Sequence, residues 1–278
     1  MALGIRHRSA IALVSWWIGL LLVVILVPVR LPGQEAPQIP SAVPQRQPPE
    51  PPKFTLEERA DIFMARKAYA DAADYYQRAL KQTESSNAHL WNKLGIAYQH
   101  EGNNRAARKA YDKALHLRKD FSEAWNNIGT TYSLENRHSK SIKYYLRSLQ
   151  VNPNSASVHL NLGTAYYHKK KYAEAVNEYR QALRLDPNVL ADQAVLGTVV
   201  RPVLAEQMHR SDSLYYFYLA KVFASLGRAE DAVRYLRRAL EDGFGDLNRI
   251  REDPDFQKIS QFPAYGELLN NPPVPIKQ

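Results

Sequence analysis

A 34-residue repeat runs through residues 88–189 and constrains the fold of this chain more than any other feature. The stretches 88–121, 122–155 and 156–189 align without a gap. Small and bulky residues recur in step along them, namely Gly95, Gly129 and Gly163; Tyr98, Tyr132 and Tyr166; and Tyr111, Tyr145 and Tyr179. This period with alternating residue sizes is typical of helix-turn-helix units that bury their apolar faces only by stacking. The sequence therefore predicts an all-α repeat solenoid.

The residues inside each repeat carry a family resemblance. The first copy contains Trp91-x-x-Leu94-Gly95-x-x-Tyr98, then Ala107, Tyr111 and Ala114. The second has Trp125-x-x-Ile128-Gly129-x-x-Tyr132, then Ser141, Tyr145, Ser148 and Pro153; the third has Leu162-Gly163-x-x-Tyr166, Ala175, Tyr179, Ala182 and Pro187, with His159 in place of tryptophan. In these residues the chain resembles the tetratricopeptide repeat (TPR) family. The resemblance implies a right-handed superhelix whose first helices line a concave groove for a protein or peptide partner.

Further segments flank the three regular copies. A looser copy covers 53–87 and is one residue longer than the period, and another covers 213–246, so that repeats occupy 53–246. Residues 190–212 break the period. We expect a short helix or strand-like excursion there, acting as a spacer or as a contact surface. Asp253-Pro254 looks like a helix start, and two short capping helices are predicted within 247–270, followed by a flexible tail at 271–278.

The first 52 residues differ in composition from the rest. Residues 9–29 are uncharged and mostly apolar, about 32 Å as a helix, so 1–30 is predicted to be a basic start and a transmembrane helix. A cleaved signal peptide, giving a secreted protein, is the alternative. Residues 31–52 hold eight prolines and are predicted to be an extended linker of up to about 65 Å. Arg6 and Arg8 favour a cytoplasmic N-terminus, with the repeats outside the cytoplasm.

Charge and composition restrict the function classes. The chain has no cysteine, which excludes disulfides and thiolate metal sites, and its histidines lack metal-ligand spacing. The formal charge of +9 is distributed over several segments, which argues against a nucleic-acid arm. Nucleic-acid binding by the basic central repeats remains the alternative to protein binding. Because no phosphate loop or nucleophile motif is present, we expect neither catalysis nor a cofactor.

The resemblance also implies which side chains face the groove. Carried over position by position, the candidate binding residues are Asn92, Lys93, Asn126, Asn127, Thr130, Asn161, Thr164, Tyr167 and Lys221. A side-chain amide has both donors and an acceptor, so Asn127 and Asn161 could bind the backbone of an extended peptide whatever its side chains are. The sequence thus predicts a membrane-anchored interaction scaffold that helps to assemble a membrane or envelope complex. It leaves self-association open.

Overall fold

The computed structural model describes residues 54–190 and 212–275, and within these residues the regular structure is entirely α-helical. In this described part of the chain, ten helices form five packed pairs, and three short helices follow the last pair. In chain order the helices are α1 (Leu56–Ala65), α2 (Tyr69–Gln82), α3 (Ala88–His100), α4 (Asn104–Leu117), α5 (Ser122–Leu134), α6 (His138–Val151), α7 (Ala156–His168), α8 (Tyr172–Leu185), α9 (Ser213–Ser225), α10 (Ala229–Glu241), α11 (Leu247–Glu252), α12 (Pro254–Gln257) and α13 (Pro263–Asn270). The predicted all-α repeat array is confirmed.

The helices alternate between two layers. The odd-numbered helices α1 to α9 are the first helices of their pairs, and the even-numbered helices α2 to α10 are the second helices. Each first helix packs on its own second helix, and every first helix after α1 also packs on the second helix of the preceding pair. The first helices α3, α5 and α7 also contact one another in order. Side chains on this first-helix layer can therefore meet across successive repeats.

Close contact between a glycine and a tyrosine joins the two helices of each regular repeat. The rings of Tyr111, Tyr145 and Tyr179 are fully buried. A Cβ atom added to Gly129 would lie 2.6 Å from Cε1 of Tyr145, and the corresponding distances at the other two glycines are 2.4 and 2.7 Å. Only glycine leaves room for the ring at this separation. The alternation of small and large residues thus sets the packing of each pair.

The additional residue of the first repeat lies in a turn. α2 ends at Gln82 and α3 begins at Ala88, whereas the equivalent connections, 118–121 and 152–155, are one residue shorter. Glu84 and Ser85 in this turn have φ angles of +50° and +61°. The extra residue therefore changes the connection and leaves the helices in register with the other repeats.

The last pair continues the array beyond the non-repeat segment. Residues 191–211, which make up most of the predicted insertion, lie outside the described residues. α9 packs against α8, and buried residues from α7 to α13 belong to one apolar cluster. Stacking of α9 and α10 on the preceding repeat thus supplies their core.

Three short helices, rather than the expected two, follow the repeats. Asp246 accepts a hydrogen bond at the start of α11, and Asp253 caps α12, whose first residue is Pro254 as predicted. Pro263 is the first residue of α13. Proline has no N–H and cannot continue a helix from the preceding turn, so each proline begins a new helix. Phe256 and Leu268 are buried against the last repeat.

None of the helices between residues 54 and 190 or between 212 and 275 has the length and apolar character needed to cross a membrane. The predicted transmembrane helix (1–30) and the proline-rich linker (31–52) fall outside the described residues.

Candidate functional site

The candidate residues lie on the first helices α3, α5, α7 and α9. Their exposure differs. Asn92, Asn126 and Asn161 are each 9% exposed, and Thr164 and Tyr167 are buried as well. The remaining four are half-buried, namely Lys93, Asn127, Thr130 and Lys221. The first-helix face is therefore a packed polar surface whose side chains already contact one another.

Four asparagines from three helices form a continuous hydrogen-bonded chain, which we call the asparagine chain. Asn161 Nδ2 donates to Asn126 Oδ1 at 3.0 Å, Asn126 Nδ2 donates to Asn127 Oδ1 at 3.4 Å, and Asn127 Nδ2 donates to Asn92 Oδ1 at 3.0 Å. It runs from α7 through α5 to α3. Each hydrogen bond between repeats joins residues that are 35 positions apart, so the asparagine chain forms only when the repeats are stacked.

The asparagine chain leaves donors available. A side-chain amide has two N–H groups and an oxygen that accepts two hydrogen bonds. Asn92 accepts from Asn127, and its own Nδ2 donates to no other residue in the described part of the chain. The other three amides each donate one N–H group to the next asparagine of the asparagine chain. The arrangement can therefore donate hydrogen bonds to carbonyl groups placed along the first-helix face.

Lys93 lies apart from the asparagine chain, in an ion-pair cluster with α1. Its Nζ donates to Glu57 Oε1 at 2.8 Å and to the two carboxylate oxygens of Asp61 at 2.9 and 2.8 Å. Burial lowers the pKa of Lys93, but the hydrogen bonds that Lys93 donates to Asp61 and Glu57 outweigh burial and raise the pKa overall. Lys93 is thus a charged contact between the first two repeats.

The two threonines are held by the backbone and by the buried tyrosines. Thr130 Oγ1 donates to the Asn126 carbonyl at 3.1 Å and accepts from Tyr145 Oη at 3.4 Å. Thr164 Oγ1 donates to the Leu160 carbonyl at 3.0 Å and accepts from Tyr179 Oη at 3.3 Å. These hydroxyls link the first and second helices of their repeats.

The C-terminal end of the first-helix face is covered. Lys221 Nζ donates to Asp253 Oδ2 at 2.6 Å and lies 3.6 Å from Asp255 Oδ2. Tyr218, next to it on α9, accepts from Arg249 Nη2 at 2.9 Å. Tyr167 on α7 donates to Asp212 Oδ1 at 2.8 Å. Lys221 and the asparagines therefore have different surroundings, and Lys221 contacts the C-terminal helices.

Sequence reasoning identified the recurring tyrosines of the second helices as repeat residues but missed the hydrogen bonds that their hydroxyls make. Four tyrosine hydroxyls of the second helices donate to polar residues of the first helices. The distances are 2.5 Å for Tyr76, 3.1 Å for Tyr111, 3.4 Å for Tyr145 and 3.3 Å for Tyr179. Desolvation raises the pKa of all four, so their hydroxyls stay protonated donors. The recurrence of tyrosine at one repeat position, opposite Asp, Gln or Thr, was the available signal.

Known protein families match the chain at these same repeats. Models of the tetratricopeptide repeat match residues 56–88, 88–121 and 120–188. Residues 56–188 are therefore tetratricopeptide repeats. TPR proteins are typically scaffolds without catalytic activity. Among curated proteins, no sequence matches this chain.

Several solved structures are similar to the chain at low sequence identity. A crystal structure of MamA is 19% identical over 66% of this chain and 93% of its own, with a TM-score of 0.45. MamA from Desulfovibrio magneticus RS-1 is 16% identical over 71% of this chain and 96% of its own, with a TM-score of 0.46. YrrB, described as a TPR protein with an unusual peptide-binding site, is 16% identical over 68% of this chain and 84% of its own, with a TM-score of 0.43.

Proposed function

We propose that this TPR scaffold binds an extended segment of a partner protein along the first-helix face of α3, α5 and α7. The asparagine chain carries the proposal, because it holds amide donors in fixed positions across three successive repeats. Amide donors bind backbone carbonyl groups and so tolerate varied side chains. Recognition is non-covalent and needs no cofactor.

Asn92→Asp is the sharpest test of this site. Aspartate keeps the oxygen that accepts from Asn127 Nδ2 and removes both side-chain N–H groups of residue 92. Asn127→Ala with Asn161→Ala removes more donors, but it also leaves the buried Asn126 and Asn92 oxygens without partners. Asn177→Asp on α8 is the matched control, since Asn177 Oδ1 likewise accepts one bond, from Arg180 Nη1 at 3.0 Å.

The measurement uses a peptide selected from a displayed library of unstructured sequences on the full-length wild-type chain. We expect Asn92→Asp to weaken its binding about 5- to 30-fold, because each lost hydrogen bond contributes about 1 kcal/mol. Asn177→Asp should bind like the wild type. Equal affinity of the wild type, Asn92→Asp and the Asn127→Ala/Asn161→Ala variant would refute the proposed site, as would the failure of selection to yield any peptide.

We further propose that the scaffold is anchored in a membrane and acts in assembly of a membrane or envelope complex outside the cytoplasm. The apolar residues 9–29 and the proline-rich residues 31–52 support this proposal. A linker of this composition would hold the repeats away from the bilayer and leave the first-helix face accessible to a partner.

A further inference from the structure

The positive charge of the repeats is concentrated on two neighbouring second helices. α4 and α6 each carry a net charge of +3, and Asp112 is their one acidic residue. The second helices of the other repeats, α2, α8 and α10, each have a net charge of zero. Charge counted over longer segments of sequence hides this difference, because it mixes the first helices and the turns with the second helices.

Six of the seven cations on α4 and α6 are exposed and make no ion pair with a carboxylate among the described residues. Arg108 is the exception, since its Nη1 lies 2.6 Å from Glu135 Oε1. The other six are Arg105, Lys109, Lys113, Lys140, Lys143 and Arg147. We call these six residues the outer basic face.

Four members of the outer basic face form a regular grid. Lys109 and Lys113 are one helical turn apart on α4, and Lys143 and Arg147 occupy the same two positions on α6. In the next repeat these positions hold the uncharged pair Asn177 and Gln181. The grid is therefore confined to two repeats.

Exposed aliphatic side chains follow or adjoin these positions along the two helices. Leu117 is 44% exposed and lies one turn after Lys113; Val151 is 39% exposed and lies one turn after Arg147; Leu146, beside Arg147, is 41% exposed. These three belong to the small set of large apolar residues exposed in the described part of the chain. Cations next to exposed aliphatic residues favour a ligand that offers carboxylates and apolar groups together.

We propose that the outer basic face, with Leu117, Leu146 and Val151, is a second docking surface, which binds an acidic amphipathic helix of a partner protein. The carboxylates of that helix pair with Lys113, Lys143 and Arg147, and its apolar stripe covers the three aliphatic residues. This surface lies on the second-helix layer and does not depend on the asparagine chain.

Two other classes of anionic partner fit the surface less well. Single-stranded nucleic acid stacks its bases on available aromatic rings. Here Tyr132 and Tyr144 stack on each other at 5.3 Å, and Arg108 and Arg137 lie 4.7 and 4.8 Å from the Tyr132 ring centroid. A bilayer surface calls for apolar side chains that protrude into the lipid. Each of the three aliphatic residues is less than half exposed.

The test uses a fluorescent helical peptide of about 20 residues, ~30 Å long, with leucine on one face and glutamate on the other. It is titrated against the full-length chain, against Lys113→Glu/Arg147→Glu, and against Arg184→Glu/Arg237→Glu. The last variant changes the net charge equally, at exposed residues of α8 and α10. Oligouridine and vesicles of phosphatidylcholine with or without phosphatidylglycerol are titrated in parallel.

We expect Lys113→Glu/Arg147→Glu to weaken peptide binding about tenfold or more at low salt, and the α8/α10 variant to bind like the wild type. Binding by the wild type should also weaken between about 50 and 200 mM salt. A peptide with lysine in place of glutamate should prefer Lys113→Glu/Arg147→Glu over the wild type, and this reversal would show direct contact in a folded variant.

Three results would overturn the proposal. The wild type could fail to bind the acidic peptide. Both charge-reversal variants could weaken it equally, which would mean that net charge alone acts. Lys113→Glu/Arg147→Glu could weaken the binding of oligouridine, or the vesicle binding that depends on phosphatidylglycerol, and leave peptide binding unaffected. This result would assign the surface to nucleic acid or lipid.

Discussion

At the residue scale, the contact between Gly129 and Tyr145 shows how one small side chain sets the distance between two helices. The buried ring lies over the glycine, and its hydroxyl donates to Thr130 at 3.4 Å on the same helix. Tyr145 therefore fills the space above Gly129 with its ring and, in the same position, donates a hydrogen bond from its hydroxyl to Thr130. A side chain on residue 129 would displace both contacts.

Gly129→Ala should destabilise the repeats by about 1–3 kcal/mol, because the new Cβ would lie 2.6 Å from the Tyr145 ring in a tightly packed site. Gly266→Ala is the control, since Gly266 is also helical but has no atom within 4 Å of an added Cβ. It should be neutral or stabilising by up to about 1 kcal/mol. Urea unfolding of both variants measures the difference, and equal midpoints would contradict the size argument.

His159 shows how a departure from the repeat pattern keeps the same contact. Trp91 and Trp125 donate from Nε1 to the carbonyls of Ser85 and Lys119, at 2.9 and 3.0 Å. His159 stands at the same repeat position, and its Nε2 lies 3.0 Å from the Pro153 carbonyl. The ring nitrogen thus replaces the indole nitrogen, while His159 Nδ1 adds a contact of 2.6 Å with Glu178 Oε2.

At the scale of elements, two helix ends meet through histidines. His138 begins α6 and His168 ends α7, and their rings stack at 4.5 Å with an angle of 12° between the planes. Burial, and then the positive charges of His168 and Lys169, lower the pKa of His138 to about 4. The positive end of the α6 dipole acts in the same direction. The contact therefore favours the uncharged imidazole.

The free energy of unfolding should consequently fall as the pH is lowered from about 6.5 to 4. In this range the unfolded chain binds a proton at His138 and the folded chain does not. His138 is partly exposed, so solvent screening reduces the effect to about 1–2 kcal/mol. Urea unfolding at the two ends of this range should show a smaller pH effect for His138→Gln than for the wild type. His116→Gln, at an exposed position of α4, should retain the full effect.

Helix order and packing were predictable from the sequence, whereas the asparagine chain was not. Periodic residues such as Gly129 and Tyr145 act within one repeat, so their spacing alone indicates their contact. The bond between Asn161 and Asn126 depends on the rotation between neighbouring repeats, which the period does not specify. Lys221 likewise could be placed on a first helix, but its pairing with Asp253 depends on how the C-terminal helices fold back.

At the scale of the whole molecule, the two helix layers offer surfaces of different chemistry. The first-helix layer presents amides, and its C-terminal end is covered by α11 and α12 through Arg249 and Asp253. The second-helix layer presents the outer basic face on α4 and α6. A scaffold with two such surfaces could hold two partners at once, which would raise the effective concentration of each for the other.

The proposed membrane attachment determines which partners can reach these surfaces. If residues 9–29 span the bilayer with Arg6 and Arg8 in the cytoplasm, both surfaces lie outside it. Trypsin added to intact cells or right-side-out vesicles should then cut after Arg46, because a segment with the proline-rich composition of residues 31–52 is expected to be more accessible than packed helices. Blotting should show the repeats released from the membrane while a cytoplasmic marker stays whole.

The opposite orientation gives a different pattern from the same experiment. If the repeats face the cytoplasm, trypsin leaves the chain intact until the membrane is opened by detergent, and partners must be sought among cytoplasmic proteins held at the membrane. A signal peptide removed after translocation would leave a soluble chain, and mass spectrometry would find its N-terminus beyond residue 29 before any protease is added. The anchored, outward-facing arrangement requires two observations together: trypsin cuts the chain in sealed vesicles, and residues 1–30 stay intact in the membrane fraction. The opposite orientation lacks the first observation, and a cleaved signal peptide lacks the second.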